Sequence, residues 1–454
     1  MTVKRETFGS QLAAVAAMAS SAIGLGNIWR FPYMAGQYGG AAFIIIYILC
    51  SFFLALPIML SEMVIGRSAH LGTFGAMEKL APGTKWKWMG LLTVVTPLII
   101  ASFYSVVGGW SIGYLWKSLT LSFSASSLED STLVFATFSS SVWGPLICFV
   151  LFLAINCIIV LAGVRKGIEK FSNFTMYFLF ALIVVIMLYS LSLDGSKAGV
   201  DYLVKPDFHN LTPKVFSSAM GQSFFSLSLG VGTILTYSSY AHDEGKLVSI
   251  AAGTAGFDLI FAVIAGFAIM PAVFAAGISP GQGPGLIFST LPYIFAKMGL
   301  TSPWISALVS ILFFLMILVA AVSSCISMIE VGVAYLIEQH GFTRRGAVLL
   351  LFFGMLGLGA LCSLSFGPLA DVHIFGVSIF SFCDMLTSNY LMTFGGLLFV
   401  IFAGWKMDKE EVRRQLTNGA SGTFASRIFG FEYFLIRYVS PLVIFAIFLT
   451  NLAS

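Results

Sequence analysis

Apolar stretches of about 20 residues recur from one end of this chain to the other, each long enough for a helix to cross roughly 30 Å of hydrocarbon. Runs such as 43–60 and 307–322 are continuous, without the period-two alternation of a barrel strand. Backbone groups facing lipid must bond internally, which leaves helices. Charged residues make up only 10% of the 454 positions, against about 25% in soluble domains. The expected fold is all-α and polytopic, a single transmembrane domain over 1–454.

Charged and Gly/Pro-rich breaks delimit eleven spans, at 10–36, 41–66, 88–116, 142–163, 168–193, 214–241, 247–276, 303–337, 345–366, 373–405 and 428–452. Loops on one side carry most of the basic residues, among them Lys4, Arg5, Arg67, Lys85, Arg165, Lys246, Arg344 and Arg413. The other side holds Lys117, Lys197, Lys205, Lys214 and Lys297. Basic loops stay in the cytoplasm, so the N-terminus is expected inside and the C-terminus outside an inner or plasma membrane. Ser20, Ser21, Gly24, Gly26 and Arg30 make the first run a poor signal-peptide core. The outer loops include 118–141, 194–213 and 277–292, the last long enough to fold over a pore mouth. The net charge of +4 reflects topology and not nucleic-acid binding. All six cysteines lie within apolar runs and are expected to act as small hydrophobes.

Two spans are interrupted by small residues near their middles. The first contains Ser21-Ala22-Ile23-Gly24-Leu25-Gly26-Asn27, and the sixth Ser226-Leu227-Ser228-Leu229-Gly230-Val231-Gly232. Each opens a block of five spans, at 10–193 and 214–405, with an eleventh helix at 428–452. Odd-numbered repeats insert in opposite orientations, and paired Gly-interrupted segments mark a transporter's binding site. Glycine costs about 1 kcal/mol relative to alanine within a helix and lets the backbone unwind. The freed N–H groups suit a carboxylate, and the freed carbonyls an ammonium or a metal ion. Close helix packing is the plainer explanation for one such segment; two in register, with polar side chains alongside, favour a zwitterion site with Na⁺.

Residues 24–33, Gly-Leu-Gly-Asn-Ile-Trp-Arg-Phe-Pro-Tyr, followed by Gly39-Gly40-Ala41, resemble the first-helix signature of the neurotransmitter:sodium symporters. Residues 222–230, Gln-Ser-Phe-Phe-Ser-Leu-Ser-Leu-Gly, resemble their sixth-helix signature, and Leu386-Thr387-Ser388-Asn389 after Asp384 is similar to bacterial members. The resemblance runs from about 5 to 450 and is nearest to bacterial LeuT- and MhsT-like amino-acid transporters. It implies the LeuT-type 5+5 inverted repeat with helices 1 and 6 unwound, and alternating-access symport of a hydrophobic, aromatic or branched, L-amino acid with two Na⁺ ions. One sodium site would use Ala22, Asn27, Ser226 and Asp258, and the second Ser20, Ile23, Ala320, Ser323 and Ser324. The substrate would meet Leu25, Gly26 and Tyr104 through its carboxylate, and Ala22, Phe225, Ser226 and Ser228 through its amino group. Ile100, Tyr104, Phe225, Val231, Ser324 and Met328 would surround its side chain.

Gly24 stands where monoamine carriers of the family place an aspartate, which favours amino acids over amines. Asp258 stands where many members have Asn, and its fixed negative charge implies transport without chloride. Arg30 and Asp384 would form the outer gate, and Arg5 and Glu338 the inner one with Tyr240 in support. Phe8 replaces the family's tryptophan, Glu338 its aspartate, and Tyr177 the helix-five proline ten residues after Gly167. Glu62 and Glu330 are expected to have hydrogen-bonded structural roles. An intramembrane enzyme is disfavoured, since the five histidines lie near loops or span ends without an HExxH motif. A channel would need a ring of charges or repeated carbonyls. A carrier of the same fold with another coupling ion, or a small amine or other solute, is the alternative.

Overall fold

The computed structural model describes every residue except 1–5, 123–126, 210, 281–285, 301, 421 and 454. Arg5, expected at the inner gate, lies outside the described residues. Among the described residues nine helices are long and apolar enough to cross a membrane. A tenth crossing is the bent pair Gln11–Ala22 and Gly26–Gln37, whose halves meet at 53°. Pro213–Ser226 and Thr233–Ser238, each too short to cross alone, follow one another across residues 227–232, where the sixth span is expected.

Burial sorts the helices. Every residue from Ala13 to Ala22 is buried, as befits a helix enclosed by others on all sides. The third span, Trp86–Leu119, packs along the eighth, Pro303–His340. The ninth, Arg344–Leu364, and the eleventh expose Leu349, Phe353, Leu442 and Phe445, which suits lipid contact.

Both interruptions are real breaks in the helical backbone. Ile23 is extended (φ −71°, ψ 100°) and ends the first helix. In the sixth span Ser228, Gly230 and Gly232 take φ of 51°, 81° and 72°. Only glycine adopts such angles without steric cost. At Gly230 space matters too, since a Cβ there would collide with the Met392 carbonyl.

Several segments expected as loops are ordered. Helix Leu128–Ser140 lies within 118–141, capped by Ser127 Oγ, which accepts from Asp130 N at 3.1 Å. Helix Ser196–Val204 lies within 194–213. The tenth span starts at Ile379, six residues later than expected from sequence. Residues 373–378 instead form a hairpin, His373–Ile374 against Val377–Ser378. Its turn residues Phe375 and Gly376 have φ of 51° and 86°, the signature of a primed turn. The loop after the seventh span lies over the third: Tyr114 Oη donates to Phe288 O at 2.9 Å.

Candidate functional site

The two broken spans meet at a buried polar cluster. Asn27 Nδ2 donates to Asp258 Oδ1 at 2.7 Å and to Ser226 Oγ at 3.1 Å. Ser226 Oγ donates to Asp258 Oδ2 at 2.9 Å, and Tyr47 Oη to the same oxygen at 3.2 Å. A carboxylate only 1% exposed is tolerable because these donors replace its water. Gln222 Nε2 donates to Gly26 O at 2.9 Å and ties the sixth span to the first. Asn27, Ser226 and Asp258, three of the four residues expected at one sodium site, thus gather at one point, and Ala22 lines the adjoining cavity. Tyr47 was not foreseen.

The residues expected at the second site lie where the first span meets the eighth. Gly24 N, which would bond to Ser20 O in an unbroken helix, donates instead to Asn27 Oδ1 at 3.2 Å. Ser323 Oγ donates to Ala320 O at 2.8 Å and to Ile23 O at 3.3 Å. Ser324 Oγ is so close to Gly24 that a methyl group there would strike it. Ser20, Ile23, Ala320, Ser323 and Ser324 offer hydroxyl and carbonyl oxygens, the hard donors an alkali cation takes. Ser21 and Ser327, also not foreseen, join the same helices by a 2.7 Å hydroxyl contact.

Between these clusters lies a cavity of about 30 Å³. Leu25, Gly26, Ile100, Tyr104, Phe225, Ser228, Val231, Ser324 and Met328 line it with Ala22, as expected from sequence. Ser226 is the exception and is turned to Asp258. Gly24 and Met392 complete the wall. Leu25 N donates to Tyr104 Oη at 3.4 Å, so an amide and a phenol face the cavity where a carboxylate is expected. Glu62 Oε1 accepts from Gly230 N at 2.7 Å and holds the unwound segment from the second span.

The expected gate residues divide. The Arg30 guanidinium lies 4.7 Å from the Phe225 ring centre, beneath a vestibule of about 480 Å³. Asp384 accepts from Ser388 Oγ at 2.8 Å, and no ion pair joins it to Arg30 among the described residues. At the basic end Glu338 accepts from Gly72 N at 2.8 Å. Tyr240 donates to Glu330 at 2.8 Å, and Arg344 pairs with the same carboxylate at 2.5 Å. Phe8 packs edge-on against Tyr237 and Tyr240. Glu330 has its expected hydrogen bonds; Arg344 was not foreseen, because its partner lies on another span. The fifth helix runs unbroken past Tyr177 after a π-helical start at Val164–Glu169.

Known proteins share this architecture. The profile of the Sodium:neurotransmitter symporter family matches residues 5–140 and 135–454. A sodium-dependent transporter of Bacillus subtilis, YhdH, is 37% identical over 97% of this chain and 96% of its own length. One from Haemophilus influenzae is 33% identical over 99% and 98%. The crystal structure of MhsT in complex with L-phenylalanine superposes with a TM-score of 0.88 at 37% identity, covering 98% of this chain and all of that one. The chain is therefore a sodium-dependent membrane symporter of LeuT-type fold, not an enzyme, and belongs to the sodium:neurotransmitter symporter family.

Proposed function

We propose that this symporter carries hydrophobic L-amino acids, aromatic or branched, inward with two Na⁺ ions and without chloride. The observation that carries the proposal is the meeting of two unwound helices beside Asn27, Ser226 and Asp258. The adjoining cavity has a polar end at Leu25 and Tyr104 and an apolar one at Ile100, Val231 and Met328. MhsT, of the same fold, was solved with L-phenylalanine, which fits this lining. The first ion sits among Ala22, Asn27, Ser226 and Asp258, with the substrate carboxylate nearby. The second sits among Ser20, Ile23, Ala320, Ser323 and Ser324. Asp258 supplies the negative charge that makes chloride dispensable.

The repeats 10–193 and 214–405 rock around this site, with 428–452 outside them. The basic end, where Glu338 and Tyr240 act with Arg5, faces the cytoplasm, as does the N-terminus; the C-terminus is outside. Arg30, Phe225 and Asp384 close the opposite end after substrate enters. Two charges moved through 100 mV supply roughly 4.6 kcal/mol, at about 2.3 kcal/mol each. That sustains about a thousandfold accumulation of a neutral zwitterion.

The test is uptake of labelled leucine, phenylalanine and tryptophan into proteoliposomes with and without a sodium gradient. Accumulation only under the gradient, lost in Asn27→Ala and Ser324→Ala, is expected. Equal uptake without sodium, unchanged in both variants, would reject the ion sites.

A further inference from the structure

The substrate cavity, at about 30 Å³, has room for only a few waters. A leucine or tryptophan side chain therefore enters only by displacing the groups that line it. Few can give way. Tyr104 accepts a hydrogen bond from Leu25 N, Ile100 is β-branched and buried in the third span, and Phe225 lies beneath the Arg30 guanidinium. Met328 is flexible too, but it lines the cavity and not the vestibule above it. Met392, like Phe225, lines both the cavity and the vestibule of about 480 Å³, and of the two it alone has an unbranched, flexible side chain.

Its main chain cannot retreat in the same way. The Met392 carbonyl lies against Gly230, and Gly396 N is 2.8 Å from where a Gly230 Cβ would stand. The tenth helix is thus packed backbone to backbone onto the unwound sixth span. Met392 follows directly on the π-helical turn Leu386–Leu391. Such turns insert a residue into the helical repeat and often mark functional sites. A fixed backbone bearing a flexible, unbranched side chain between a tight cavity and an open one makes a movable partition.

We propose that Met392 is a specificity-determining residue, an adjustable wall that sets the largest side chain the carrier accepts by swinging toward the vestibule. This rests on the amino-acid reading above. The experiment measures kcat/KM for valine, leucine, phenylalanine and tryptophan under a sodium gradient, in proteoliposomes holding the full chain. Met392→Ile, stiff at its first torsion, should lower the tryptophan-to-valine ratio about tenfold, the scale of a small steric change in an apolar pocket. Met392→Ala should raise that ratio by a similar factor, as valine loses contact and tryptophan gains room. Met392→Leu conserves volume and is the variant surest to fold; it should lower the ratio in the same direction as Ile, by a smaller factor. Ratios within twofold of the parent in the variants that fold would overturn the proposal. A parent protein that accumulates none of the four would instead overturn the amino-acid reading, and this inference with it.

Discussion

Asp258 is a buried carboxylate reached by an amide, a hydroxyl and a phenol from three other spans. Asn keeps the shape of that side chain and removes the charge. Asp258→Asn should therefore abolish uptake or make it depend on chloride, as read by exchanging chloride for gluconate; full activity without chloride would remove the proposed role. Glu62 gives a second test at this scale. It accepts from Gly230 N where the side chain is fully buried, so Glu62→Ala orphans a buried donor at a cost of about 1–3 kcal/mol. The melting temperature should fall, and Glu62→Gln, which keeps an acceptor oxygen, should recover most of the loss. Asn27 and Ser226 were legible in the sequence because they lie within the two signatures, whereas Asp258, outside both, followed only from the family resemblance. Tyr47 was not. It meets Asp258 from 211 positions away, and a tyrosine inside an apolar run reads as packing until a fold supplies its partner.

Helix interruptions by glycine could be foreseen, because a residue without a side chain at mid-span has a conformational cost that needs a reason. Interruptions by π-helical turns, at Val164–Glu169 and Leu386–Leu391, could not. They are built from ordinary residues and follow from packing against neighbours. The hairpin before the tenth span was missed for a related reason: His373 to Ser378 is apolar enough to extend the run, and only the positive φ angles at Phe375 and Gly376 break it. One element carries a test of its own. Glu6 Oε2 accepts from Val164 N at 2.6 Å, and Gly9 N donates to Glu169 Oε2 at 2.9 Å. The segment before the first span is thereby clasped to the start of the fifth. A carboxylate at a helix N-terminus is worth about 0.3–1 kcal/mol. Glu6→Gln keeps the acceptor and loses the charge, so hydrogen exchange at the Val164 amide should quicken about two- to fivefold. Unchanged exchange would mean that Glu6 holds nothing there.

At the scale of the whole molecule, hydropathy laid out the spans because lipid tolerates so few backbone arrangements. What it could not reveal is how the basic end is held together, since that depends on which loops become neighbours. Glu330, fully buried in the eighth span, pairs with Arg344 at the start of the ninth. Arg344 Nε also donates to Val160 O in the fourth at 2.7 Å, and Tyr240, just beyond the short helix Thr233–Ser238, donates to Glu330. The half of the sixth span nearest the basic end is thus tied through one carboxylate to three other helices. Removing a single partner of a buried ion pair costs about 3–5 kcal/mol, because the remaining charge loses its compensation. Admitting water is the readiest relief, and here that means loosening the basic end. Arg344→Ala should therefore speed alkylation of the buried thiol Cys157, one turn from Val160, as mapped by mass spectrometry, and weaken sodium binding. Glu330→Gln in the same background removes the charge that Arg344 balanced and should restore slow alkylation, a non-additive pair in a double-mutant cycle. Were the two substitutions simply additive, the ion pair would not be what closes that end.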